Sequence, residues 1–394
     1  MSGPGDLRVA IVGGGIAGLT LSIALRRAGV RHQIYEQARE IRAVGAGLQL
    51  APNSTRLLHR LGLEEPLRAR ATQPEFIERR RWRDGSVLNH TPLGDELRRV
   101  FGAPYYLVHR ADLQQALLAR IDPGVLNLHA VCVGVDDDGD RVRLSFADGG
   151  TATAEVVVGA DGIHSAVRAS IMDDRPRFVG RTVYRGLVPV DRLPYLRGDR
   201  RITMWMGPRL HCIYYTVCAG ELVNFSASTP AGDWQTESWL AEGKIEDLVE
   251  AYAGWHDEVL TVVTAADQVN RWALYERPGC YRQGRRALVG DAAHASLPFL
   301  AQGANQAIED VTTLAVLLAK ADRSTVDAAL DAYEQCRRER IAAVQAESRR
   351  RAELIHLPDG EQQRRRDLGL DNTHDLRNAE WLYGYDAEEA ARQA

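Results

Sequence analysis

Apolar and polar positions change period several times along this chain. RVAIV (8–12) is a short continuous apolar run ending in glycines, the pattern of a buried strand. IAGLTLSIALRRAG (16–29) is helical in composition, with Gly29 placed as a C-terminal cap. HQIYEQ (32–37) reads as the next strand, which completes a βαβ unit. Further on, strand-like PYYLV leads into a helix over VHRADLQQALLARI (108–121). The stretch 131–162 predicts three strands, with turns at Asp-Gly and Gly-Gly. Residues 181–228 alternate and are rich in Tyr, Val, Ile and Trp; RITMWMG, LHCIYYTV and ELVNFSAS within them predict an antiparallel sheet. After 287 the pattern turns helical again, and 325–354 suits one long helix. No tandem repeat is visible.

The two kinds of segment interleave. Strand–helix pieces at 1–75, 106–175 and 275–345 predict one Rossmann-like nucleotide-binding domain of α/β class in three segments. Sheet-rich pieces at 76–105 and 176–274 predict an inserted antiparallel domain of α+β character. Residues 346–394 are read as a C-terminal helical region.

The chain has 394 residues, 45% hydrophobic and 26% charged, enough for more than one core. A net charge of -4 gives no reason to expect nucleic acid or an anionic membrane as a partner. No apolar run approaches the ~20 residues of a membrane helix. MSGPGDLRVAIVGGG has no basic n-region or cleavage site, so no signal peptide is read. The five cysteines include no Cys-x-x-Cys pair; reduced thiols and a cytoplasmic setting fit them better than disulfides or a metal site.

Three motifs carry candidate chemistry. In Gly13-Gly14-Gly15-Ile16-Ala17-Gly18, Gly13 permits a tight turn, Gly15 lets backbone approach a pyrophosphate, and Gly18 lets helix and strand pack closely. The helix start offers free amides and a positive dipole end. Glu36 follows about twenty residues on, where a carboxylate can accept ribose hydroxyls. That favours an unphosphorylated adenosine ribose, in NAD or FAD. The second motif is Asp161-Gly162-x-x-Ser165-x-x-Arg168 after an apolar strand, open between a capped turn and a ligand motif. The third is ALVGDAAHASLPFLAQGANQAIED (287–310). There Asp291 is either a helix cap or an acceptor for a sugar-like chain, close to the amides of Gly303 and Ala304.

In this order and spacing, with GAGLQLAPN, VHRADL, SFADG and GADGIHS, the motifs resemble the single-component FAD-dependent aromatic hydroxylases of the p-hydroxybenzoate hydroxylase fold. The resemblance runs from about residue 8 to 350; IYYTV and the tail WLYGYD make it most similar to the salicylate and 6-hydroxynicotinate monooxygenase branch. It implies that Gly13, Gly15, Gly18 and Glu36 hold the ADP half of FAD, that Arg110 contacts the cofactor, and that Cys132 lies against the adenine. It also implies that Asp161 and Gly162 serve FAD and the reducing nicotinamide and that Asp291 binds the ribityl chain. Gly303 and Ala304 would offer amides to the flavin N1/C2 carbonyl, and Pro298 would lie at the isoalloxazine. NADH or NADPH, bound transiently, would reduce FAD; O₂ would form the flavin C4a-hydroperoxide, and an electron-rich ring would take the distal oxygen. A carboxylated ring could lose that group in the same step. A flavin reductase or oxidase on this fold, and a degenerate FAD-fold binding module, are the alternatives.

The partner implied is a small aromatic molecule; oligomeric state is left open. In LHCIYYTV, alternation puts His211, Ile213 and Tyr215 on one face. His211 and Tyr215 match substrate-pocket positions of the hydroxynicotinate branch and are the candidate catalytic pair. Gln49 and Phe299 stand where that branch carries histidines, which predicts a phenol or hydroxypyridine less dependent on a carboxylate anchor. His294, the runs Arg349–Arg351 and Arg364–Arg366, and the aromatic tail Trp381, Tyr383 and Tyr385 are read as structural. Tyr184-Arg185 is left open between strand packing and the site.

Overall fold

The computed structural model describes residues 7–41, 45–236, 241–370 and 376–394. The N-terminal stretch read for a leader lies partly outside them. Arg8–Val12 is buried except at its first residue and pairs in parallel with Arg31–Tyr35 on one side and Val156–Gly159 on the other. Arg286–Leu288 continues the parallel sheet, Leu126–Asn127 closes one edge, and the antiparallel Arg282–Gln283 closes the other. The helix Ile16–Arg27 buries Leu19, Leu21, Ile23 and Leu25 against this sheet and against the helix Gly303–Leu318. Burial of such a continuous apolar face drives this half of the fold.

A parallel sheet brings the carboxyl ends of its strands to one edge. Here that edge carries Gly13–Gly15 after Val12, Glu36 after Tyr35, Ala160-Asp161 after Gly159, and Gly290-Asp291 after the strand ending at Leu288. All three motifs therefore converge where α/β sheets bind ligands.

The second sheet has eight strands, in the order Glu242–Gly243, Val269–Glu276, Arg177–Pro189, Leu222–Pro230, Leu210–Val217, Arg201–Gly207, Phe76–Arg81 and Val87–Pro92. Its pairing is antiparallel, except that Phe76–Arg81 runs parallel to Arg201–Gly207. One face packs Trp205, Cys212, Tyr214, Phe225 and Ala227 against the helices Ile245–Ala251 and Asp257–Thr264. The opposite face is turned to the parallel sheet's edge. Sheet membership supports, as a proposal, the two-domain division with three cofactor segments.

Two expectations need correction. Residues 131–162 form four strands, Cys132–Asp137, Val142–Phe146, Thr151–Ala154 and Val156–Gly159. The break falls at Glu155, a buried carboxylate bound by the Arg8 amide at 2.9 Å and by Arg323 at 2.8 Å. That charge marks where the chain leaves a three-stranded sheet for the parallel one. The long helix runs Val326–Ile355 and crosses position 346, so no structural boundary falls there.

Helix and long helix are joined by a buried ion cluster. Glu309, Asp310 and Arg337 are fully buried; Arg337 meets Asp310 and Glu309 at 2.7 Å each, and Arg340 meets Glu309 at 2.8 Å. Arg337→Met leaves part of this acid uncompensated. It is expected to lower stability by about 3–5 kcal/mol in guanidinium unfolding.

Candidate functional site

The glycine loop is shaped by contact on one side and space on the other. Gly13 has φ +108°, and a Cβ there would lie 2.4 Å from the Ala160 carbonyl oxygen. A Cβ on Gly18 would lie 1.9 Å from the Gly13 oxygen. On Gly15 it would meet nothing within 4 Å, so this residue leaves open room beside the start of its helix. Glu36 accepts from the Gly14 amide at 2.5 Å and the Ala38 amide at 2.8 Å, which fixes its carboxylate next to the loop. Cys132 is half-buried near Asp161, and burial pushes its thiol above the ordinary value.

Asp161 both caps and faces the site. Its Oδ2 accepts from the amides of Ala166 and Val167 at 2.8 and 3.3 Å, while its buried Oδ1 has no partner. Burial raises its pKa. Ser165 caps the same short helix by accepting from the Arg168 amide, and the Arg168 guanidinium donates to the carbonyls of Ala292 and Ala293 at 3.0 and 2.7 Å. The second motif is thereby bolted to the third.

A cavity of about 800 Å³ separates this edge from the second sheet. Gly15, Arg110, Gly162, Asp291, Pro298, Gly303 and Ala304 line one half. Asp291 is exposed into the cavity and accepts no hydrogen bond from a described residue; desolvation within the cleft raises its pKa, and His294 and Arg110 oppose that. Burial lowers the Arg110 pKa, against the charge of Asp291. The 16-residue helix starts at Gly303, where its first amides lack intrahelical acceptors and its dipole favours an anion. Gly303 also leaves open space where a Cβ would be.

The other half holds Gln49, Tyr105, Tyr215, Tyr383, His211, Phe299 and the sheet face. Gln49 accepts from the Tyr105 hydroxyl at 2.7 Å, and burial pushes the pKa of the neighbouring Tyr215 up to about 12. Phe299 packs edge-on to His211, with ring centroids 5.6 Å apart. His211 Nδ1 lies 2.8 Å from His356 Nε2 and 2.7 Å from Ser228 Oγ; His356 Nδ1 lies 2.6 Å from the Ala352 carbonyl. That carbonyl can only accept, so His356 Nδ1 carries the proton and its Nε2 accepts. Burial, the neighbouring His356 and Arg181 drive the His211 pKa well down; burial and Arg181 lower that of His356 to about 3. Both rings are neutral at pH 7.

Two lining residues of this half, Tyr105 and Arg79, were not singled out by the sequence, nor was His356, which backs His211. Each reaches the site from a distant segment and belongs to no local motif. Others change role. Tyr383, read with the packing tail, lines the cavity, whereas Trp381 and Tyr385 stack on Arg340. Arg350, Arg351 and Arg366, read as solvated faces, line it too, because the long helix and the helix Glu361–Gly369 fold over the opening. Arg185 lines the cavity; Tyr184 points to the opposite core. His294 is buried, 2.6 Å from Asp310.

An unpartnered buried carboxylate oxygen on Asp161, an unbonded Asp291, and open space over Gly15 and Gly303 together fit FAD. Among the described residues no cluster suited to a metal ion occurs, and no helix is long and apolar enough to cross a membrane.

The family described as FAD binding domain matches residues 6–348. The chain is 47% identical, over 96% of both sequences, to the 3-amino-4-hydroxybenzoate 2-monooxygenase PtmB3 of Streptomyces platensis. It is 32% identical to the 6-hydroxynicotinate 3-monooxygenase of Bordetella bronchiseptica, over 97% of this chain and 96% of that one. A salicylate hydroxylase substrate complex superposes with a TM-score of 0.83 at 30% identity, covering 98% of each chain.

Two outcomes follow from the site. Gly15→Ala is expected to fold with an unchanged melting temperature in the apo protein yet to lose FAD, read by flavin absorbance after reconstitution. Gly18→Ala, which would put its methyl against a backbone carbonyl, is expected to exceed the ~1–3 kcal/mol of ordinary overpacking and to unfold the loop. The histidine pair sets a pH dependence. Its native pKa values lie below the unfolded value of about 6.5, so below that pH the unfolded chain binds protons that the native state refuses. Stability is expected to be level above about pH 7 and to fall as pH drops from 6.5 towards 4.5. His32 and His59, also lowered by burial, act in the same direction. The difference between wild type and His356→Gln in urea unfolding isolates the pair's share: the variant's slope should be shallower.

Proposed function

Because the chain belongs to the FAD binding domain family and is an FAD-dependent aromatic monooxygenase, using O₂ and a nicotinamide reductant, we propose that its substrate is an aminohydroxybenzoate of the 3-amino-4-hydroxybenzoate type. The observation that carries this is the charge of the cavity wall. Among the described residues its lining includes six arginines, at 79, 110, 185, 350, 351 and 366, and one carboxylate, Asp291; of the six, Arg350 and Arg351 are already paired with Glu347, and Arg366 with Asp367. Such a lining favours an anionic aromatic occupant. The expectation of a substrate less dependent on a carboxylate, drawn from Gln49 and Phe299, gives way to this reading. The cations come from segments far from those two positions.

Gly13, Gly15, Gly18 and Glu36 hold the ADP half of FAD in this reading, with Cys132 beside it and Arg110 and Asp161 along it. Gly162 leaves room for the cofactor and for the nicotinamide. Asp291 would take ribityl hydroxyls, Pro298 would lie at the ring system, and the amides of Gly303 and Ala304 would favour the negative charge of a reduced flavin. Bound FAD, once reduced, supplies activated oxygen. The protein orients the ring and keeps water out.

Hydroxylation at carbon 2 of such a ring falls between the carboxylate and the amine. The amine lone pair is ortho to that carbon, whereas the 4-hydroxyl is meta to it. Ionising the hydroxyl is therefore not what activates the carbon. This agrees with a site whose Tyr215 and His211 are both neutral at pH 7 and serve as hydrogen-bonding guides. Gln49 holds Tyr105 in place, and Phe299 packs edge-on against His211.

The FAD-loaded protein should consume NADH or NADPH faster with 3-amino-4-hydroxybenzoate present. Mass spectrometry should find the added oxygen in nearly one product per reductant, with little hydrogen peroxide. Peroxide alone with every aromatic acid tried would refute the reading.

A further inference from the structure

The strand Phe76–Arg81 divides its charge between two faces. On one, Glu78 meets Arg80 at 2.6 Å, His90 at 2.8 Å and Arg201 at 3.2 Å, so that face settles its own charge. On the other, Ile77 and Arg79 line the cavity. Arg79 Nη1 donates to Asn89 Oδ1 at 3.0 Å and Thr91 Oγ1 at 2.8 Å. Among the described residues no carboxylate pairs with it. Other interior guanidinium groups differ: Arg168 has Asp174 at 2.7 Å, and Arg337 and Arg340 have Glu309. The charged and phenolic neighbours that bear on Arg79 are Arg351 and Tyr383, and Arg351 is already paired with Glu347 at 3.0 Å. A half-buried cation with two neutral hydrogen-bond partners and no acid leaves its remaining donors for an anion in the cavity.

Register shows where that anion would lie. Arg79 is opposite Met204, Met204 opposite Ile213, Ile213 opposite Ser226, and Ser226 opposite Arg185. All five line the cavity, so one row across the sheet reads cation, apolar, apolar, hydroxyl, cation. At about 4.8 Å per strand the row spans roughly 19 Å. Arg185 feels the charge of Arg110, which places that end beside the cofactor half. Arg79 stands at the far end. Between them, Met204 and Ile213 form an apolar floor the width of one aromatic ring, next to Tyr215 and His211 on the same strand as Ile213.

We propose that Arg79 is the specificity-determining residue of this site and receives the ring carboxylate of the substrate, held in aim by Asn89 and Thr91. The proposal rests on reading the cavity as that of an aromatic-acid hydroxylase. Burial and the nearby Arg351 lower the Arg79 pKa to about 10, which leaves the group cationic at pH 7. A guanidinium fork suits a carboxylate bidentately, and neither Gln49 nor Phe299 is needed for charge.

The test compares wild type, Arg79→Met and Arg79→Lys, all FAD-loaded. Flavin content and melting temperature establish folding. Calorimetric affinities are measured for 3-amino-4-hydroxybenzoate and for 2-aminophenol, which is the same ring without its carboxylate. Salicylate and 3-hydroxybenzoate are measured with phenol as their neutral reference, and 6-hydroxynicotinate with 2-hydroxypyridine. Wild type should prefer acid over neutral ring by on the order of 30-fold or more, the scale of a desolvated charge pair. Arg79→Met should reduce that preference to within about 3-fold while leaving 2-aminophenol affinity nearly unchanged, and Arg79→Lys should fall between and supply the comparison if the Met variant does not fold. An undiminished acid preference in Arg79→Met overturns the anchor and leaves the substrate reading standing. An Arg79-dependent preference for a different acid keeps the anchor and removes the aminohydroxybenzoate reading. A wild type that binds no aromatic acid removes both.

Discussion

The buried cluster of Glu309, Asp310, Arg337 and Arg340 is the constraint on which the site depends. Burial alone would raise both carboxyls; Arg340 and Arg337 overcome it at Glu309, and His294 and Arg337 overcome it at Asp310, so both stay below their ordinary values. Charges this deep persist only when each is matched in geometry as well as sign. Here the matching also builds the site. Asp310 accepts from the Gly290 amide at 2.8 Å and from His294, which fixes the strand end that presents Asp291. Glu309 and Gln302 share Asn53 and Gln306, which fixes the start of the helix at Gly303. Arg340 reaches the carbonyls of Trp381 and Leu382, which ties in the tail that brings Tyr383 to the cavity.

Around this anchor the two sheets divide the work by their geometry. The parallel sheet gathers loop ends at one edge, so its contribution is backbone amides, glycine space and three carboxylates. The antiparallel sheet offers a broad face whose side chains alternate, so its contribution is a lined floor. A cofactor with phosphates and sugars suits the first surface. A flat anionic ring suits the second, because positive charge is distributed along its rim while the middle is apolar. The long helix and the Glu361–Gly369 helix add the arginines at the opening.

The sequence by itself determined whatever depends on local spacing. The glycine loop, Glu36, the Asp161 turn and the Asp291 strand end were legible because each couples a backbone requirement to a fixed number of residues. The period-two face of His211, Ile213 and Tyr215 was legible for the same reason, since a strand turns successive side chains to opposite sides. The Val326–Ile355 helix was legible from its unbroken composition to within a residue at each end.

Only the tertiary structure decided what meets across distance. Glu155 splits an apparent single strand because arginines 147 and 168 residues away bind it. Tyr383 and the arginines at 350, 351 and 366 become wall residues because helices fold over the opening, which their own surface-like pattern could not indicate. His356 is placed against His211, 145 positions earlier, and the pair's neutrality follows from burial that no sequence window reports. Arg79 is one of three consecutive arginines in FIERRR; the anchoring role proposed for it arises because Glu78 and Arg80 turn away to pair on the other face and, among the described residues, no acid is folded opposite it. Local spacing is a property of the chain, whereas burial and the absence of a counter-ion are properties of everything the fold brings alongside.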